Sequence, residues 1–110
     1  MNEERKIALA LLNAVWNEDI EKVRLFIEQG ANPSWIFNGY PLLIHAITLG
    51  NEELVRLLLD AGAKQKQEAL GFALERGIGK MIRLLMFEGI LPKHFEPREG
   101  FGSYPQRFAY

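Results

Sequence analysis

The feature that most constrains this chain is a segment that occurs twice. Val23-Arg24-Leu25-Phe26-Ile27-Glu28-Gln29-Gly30-Ala31 returns 32 residues later as Val55-Arg56-Leu57-Leu58-Leu59-Asp60-Ala61-Gly62-Ala63. Gln29 and Ala61 are the pair that differs in character. The same offset carries Ala14 onto Ala46 and Asp19 onto Asn51. A third copy, Ile82-Arg83-Leu84-Leu85-Met86-Phe87-Glu88-Gly89-Ile90, follows at an offset of 27, so five residues are missing between Ala63 and Leu70. A period in this range means stacked supersecondary units, each too small to bury its apolar face alone, with about three needed for stability.

Within a copy the pattern predicts two short helices. In the second, Leu42 to Thr48 forms one helix and Gly50 breaks it. Asn51 suits an N-cap, and Glu52 and Glu53 suit the positive pole of the next helix. Leu54, Val55, Leu57, Leu58 and Leu59 give that helix a broad apolar stripe, and Gly62 ends it in a left-handed conformation. The first copy is expected over 5–16 and 19–29, and the third over 66–76 and 79–88. In the first copy Glu18 stands where Gly50 and Gly77 stand in the others.

These residues resemble ankyrin repeats. The resemblance rests on the second-helix pattern, on Gly30-Ala31-Asn32 and Gly62-Ala63, on Ala14, Ala46 and Ala73, and on the fuller set Gly39, Pro41, Leu43, Ala46 and Gly50. It spans about residues 5–91 and implies an all-α solenoid of three helix pairs, six helices in all. The repeats fall at 5–30, 31–63 and 64–91, with one hairpin finger and an irregular tail over 92–110. The family's Thr-Pro-Leu-His signature is reduced to Pro41-Leu42-Leu43-Ile44. His45 falls one place late, so the family's bracing hydrogen bonds are not expected of it.

The resemblance further implies binding of another protein through the finger and the exposed side of the first helices. Position by position this points to Trp16 and Asn17, to Phe37, Asn38, Tyr40, Thr48 and Leu49, and to Glu75 and Arg76. The loop from Pro33 to Tyr40 adds its own signal. Asn38-Gly39 is a tight-turn pair, yet Trp35, Ile36, Phe37 and Tyr40 surround it, and aromatic side chains dominate interface energetics. Trp35 therefore joins the expected contact residues. For Trp16, Trp35, Ile36, Phe37 and Tyr40, packing onto the helices below is the competing expectation. Exposed anchors at Phe37 and Tyr40 predict that alanine there spares the melting temperature.

Residues 92–110 hold three prolines, two glycines and five aromatics with no helical period. They are expected to cover the open end of the third copy, or else to form a second binding element or a self-association surface.

Charge is uneven around the net of −1. Five Lys and Arg face nine Asp and Glu over residues 1–63, and eight face five over 64–110, an asymmetry that can orient a partner. Without cysteine there is no disulfide framework and no cysteine zinc site. The acidic start and the lack of a run near ~20 apolar residues suggest a soluble, cytoplasmic protein with no membrane partner. Adjacent acids such as Glu52-Glu53 do not share a helical face, His45 and His94 are far apart, and Gly77-Ile78-Gly79-Lys80 lacks phosphate-loop spacing. No catalytic residue, metal, cofactor or small-molecule substrate is expected. A stand-alone blocker of inhibitor, immunity or anti-defence type is the expected role, with a scaffold or adaptor subunit second. Nucleic-acid binding is the alternative of a different class, though no basic stripe or motif supports it.

Overall fold

The computed structural model describes residues 3–87 and 89–95 of the chain. Six helices run in order: α1 (Glu3–Trp16), α2 (Ile20–Glu28), α3 (Leu42–Leu49), α4 (Glu52–Asp60), α5 (Lys66–Arg76) and α6 (Gly79–Phe87). Between α2 and α3 stand two short strands, β1 (Ile36–Phe37) and β2 (Tyr40–Pro41). They pair antiparallel, with Phe37 opposite Tyr40 and Ile36 opposite Pro41. Asn38 and Gly39, both at positive φ (52° and 86°), make the turn. This is the hairpin signalled by Asn-Gly.

Local chemistry sets the helix starts. The Asn51 side chain accepts the Leu54 amide at 3.0 Å, and Asp19 accepts the Lys22 amide at 3.1 Å. Gly50 and Gly77 end the first helices of their pairs in the left-handed region. Glu18 holds the same place in the first pair at φ 55°, a conformation that costs an L-residue roughly 1–2 kcal/mol. Its carboxylate accepts from the Asn51 amide at 2.9 Å, which ties the turn of the first pair to the cap of the second.

Each pair packs on itself, α1 on α2, α3 on α4 and α5 on α6. The first helices stack as α1–α3–α5 and the second as α2–α4–α6. The core follows the stack: Leu11, Leu12, Leu42, Leu43, Ile44, Ile47, Leu54, Leu58, Leu70, Met81 and Leu85 are all fully buried. The end faces show what stacking does. Ile47 and Leu59 are buried under the third pair. Their equivalents in the last pair, Leu74 and Met86, are 44 % and 60 % exposed because no pair follows among the described residues. No helix among the described residues is long and apolar enough to cross a membrane.

Part of that end is covered by residues 91–95, which run back over α5. The Lys93 amide donates to the Gln67 carbonyl at 3.0 Å. The backbone approaches so closely that a Cβ on Gly71 would meet the Lys93 oxygen at 1.9 Å. Only glycine fits there. The tail is expected to cover the open end; residues 91–95 lie against α5 while Leu74 and Met86 stay exposed, and residues 96–110 lie outside the described residues.

Candidate functional site

The finger is held by a histidine. His45 on α3 is fully buried. Its Nδ1 lies 3.1 Å from Trp16 Nε1 and its Nε2 lies 3.3 Å from the Phe37 carbonyl oxygen. An indole N–H can only donate, so Nδ1 must accept and the imidazole proton sits on Nε2, donating to Phe37. Three rings meet His45 edge-on: Trp16 at 5.8 Å, Phe37 at 6.1 Å and Tyr40 at 6.3 Å. Burial lowers its pKa from 6.5 to about 4, against the upward pull of backbone hydrogen bonds with Phe37 and Tyr40. His45 thus stays neutral near pH 7 and joins α1, the finger and α3. The family's bracing hydrogen bonds are not expected of it from its position; it hydrogen-bonds Trp16 and the Phe37 carbonyl. Being one place late still leaves the ring on the buried side of α3.

This hub decides the fate of the aromatics. Phe37 is 0 % exposed and forms part of the core, so the surface role expected for it is corrected: it touches His45, not a partner. β-strand alternation turns it inward while Ile36 stays half-buried. Trp16 is half-buried and bound to His45. Trp35 is half-buried against the core, and its carbonyl accepts the Leu42 amide at 3.0 Å. Leu49 is likewise half-buried against the core. Asn38 sits at the fingertip turn.

Tyr40, Thr48 and Arg76 come together. With Phe72 they line a depression of about 240 Å³ between the finger, α3 and α5. Thr48 is exposed, its hydroxyl donating to the Ile44 carbonyl at 3.0 Å. The exposed Arg76 places its guanidinium 4.8 Å from the centre of the Phe72 ring, a cation–π contact. Glu75, exposed on α5 next to Arg76, lies 2.8 Å from His94 Nδ1. Asn17 is exposed but belongs elsewhere, to a separate hollow with Asn13, Asp19 and Lys22.

Two participants were missed from the sequence, Phe72 and Phe95. At the offset of 27, Phe72 is the counterpart of His45. In the second pair, Phe37 and Tyr40 of the finger pack on that position. The third pair has lost its finger, and Phe95 packs there instead, edge-on to Phe72 at 5.9 Å and against Tyr40 at 5.4 Å. The tail does for the third pair what the finger does for the second. Extending the register to Phe72 would have exposed that residue. Nothing local to Phe95 points to its place.

The result is an aromatic floor fixed from below, a hydroxyl on one wall and a guanidinium on the other. Among the described residues no group of three or more His, Asp or Glu stands where it could hold a metal ion.

A family model for ankyrin repeats, in three copies, matches residues 11–95. Comparison with curated proteins and with solved structures returns no match.

Proposed function

The chain belongs to the ankyrin-repeat family, whose members generally mediate protein–protein interactions and are typically non-catalytic, and from that premise we propose that it binds one specific protein through the groove of Tyr40, Thr48, Phe72 and Arg76. The observation that carries this reading is the groove itself, which joins the finger to two successive first helices. Tyr40 and Phe72 are held by His45 and Phe95, so little side-chain freedom is lost on binding, and a fixed surface retains more of its contact energy as affinity. A partner segment that places an apolar side chain over Tyr40 and a carboxylate on Arg76 satisfies both walls. Trp16, Trp35, Asn38, Leu49 and Glu75 flank this contact; Asn17 lines a separate hollow and is reached only by a larger partner surface. The role we assign is occlusion, that of a cytoplasmic stoichiometric inhibitor or immunity-type blocker. What supports it is a rigid groove that joins the finger to two first helices.

The test is a pull-down at moderate salt with the tagged chain and its Thr48→Arg variant. One protein recovered in stoichiometric amount by the wild type, and at least about tenfold less by the variant at unchanged melting temperature, supports the reading. Equal recovery by both removes the groove from the contact. Recovery of nucleic acid that fades steeply with salt overturns protein binding.

A further inference from the structure

On the opposite side of the stack, α4 and α6 enclose a second depression, of about 330 Å³, lined by Glu52, Arg56, Lys80, Arg83 and Leu84. Arg56 and Arg83 are counterparts at the offset of 27, so stacking of the second helices brings both to the lining of one hollow. Lys80 joins them because the third copy departs from the second. Where α4 opens with Glu52-Glu53, α6 opens with Gly79-Lys80 and has no acid in its first turn. Three cations therefore line one hollow with a single carboxylate. None of the three forms an ion pair among the described residues. Like charges gathered in this way repel; Glu52 lines the same hollow, and Glu53 and Asp60 line an adjoining one with Arg56, without an ion pair to the three cations among the described residues.

We propose that the hollow between α4 and α6 is a binding site for one phosphate monoester group, held by Arg56, Lys80 and Arg83 over the apolar floor of Leu84. Three cations and one carboxylate give the lining a charge of +2, which matches a phosphate monoester near pH 7 at about −1.5 to −2. Guanidinium forks match tetrahedral oxyanions by paired N–H donors. Glu52 limits the occupant to a single group, because a polyanionic backbone would press further charges onto its carboxylate. The phosphate can be free or can belong to a phosphorylated protein side chain, and titration tells these apart.

Amide chemical shifts of the full chain are followed by NMR at constant ionic strength against three probes. These are inorganic phosphate, a capped pentapeptide with a central phosphoserine, and the same peptide with glutamate. The site predicts saturable shifts centred on Gly79 to Arg83 and on Arg56. It also predicts phosphoserine binding at least about tenfold tighter than glutamate, and at least tenfold weakening in the Arg56→Gln/Arg83→Gln variant with a preserved spectrum. A phosphopeptide tighter than inorganic phosphate identifies a phosphorylated side chain as the source; equal affinities identify free phosphate. Shifts that do not saturate, that spread evenly over other cations such as Lys22 and Lys64, that persist in the variant, or that are equal for glutamate and phosphoserine overturn the proposal.

Discussion

Acidifying the protein from pH 7.5 to 4 should destabilise it through one buried residue in particular, His45. In the folded state its pKa lies at about 4, against an ordinary value of 6.5 that the unfolded chain recovers. Between these values the unfolded state binds the proton and the folded state does not, so stability must rise with pH across the window. The contribution is complete above pH 6.5 and is lost as pH falls towards 4. At roughly 1.4 kcal/mol per pH unit the gap is worth about 3 kcal/mol, a large part of the 5–15 kcal/mol typical of a domain. The structural cause is definite. A proton on Nδ1 would face the Trp16 indole N–H across 3.1 Å, replacing a hydrogen bond by two opposed donors. The assay is urea unfolding followed by circular dichroism from pH 7.5 to 4, for the wild type and for His45→Gln. The glutamine amide can still donate and accept but cannot titrate. The wild type should lose about 3 kcal/mol more than the variant over this range. Parallel losses in the two proteins would refute the buried neutral imidazole. So would a histidine titration by NMR showing His45 near 6.5.

Phe37→Ala should cost about 3–5 kcal/mol, as emptying a fully buried aromatic site does, and thermal melting read by circular dichroism will show it. A melting temperature within a degree or two would return Phe37 to the surface. Gly71→Ala should push residues 91–95 off α5, because the added methyl overlaps the Lys93 carbonyl. Hydrogen exchange at the Lys93 amide should then become fast while α5, which gains helix propensity from alanine, stays protected. Unchanged protection at Lys93 would show that the segment is not packed there.

The helices were legible because their signals are local. Asp19 and Asn51 cap over three residues, Gly50 and Gly77 end helices at their own positions, and Asn38-Gly39 turns the finger within four residues. The groove was half legible. The register of first helices placed Thr48 and Arg76 on one face, and Tyr40 came with the finger. Phe72 was passed over, although it lies one helical turn before Arg76 on α5. Phe37 was misjudged because a loop aromatic carries no mark of which way its strand faces.

The amino-acid order alone specified a stack of helix pairs, its register, its caps and its one finger, since each depends on residues a few places apart or on repetition. Which side chains the stack would bury depended on partners far along the chain. Trp16 reaches His45 across 29 positions, and Phe95 reaches Phe72 and Tyr40 from beyond the last helix. The cation hollow likewise arises because stacking lays α6 beside α4. Burial and charge convergence are properties of distances in space, and a short-range pattern carries no record of them until the pairs are packed.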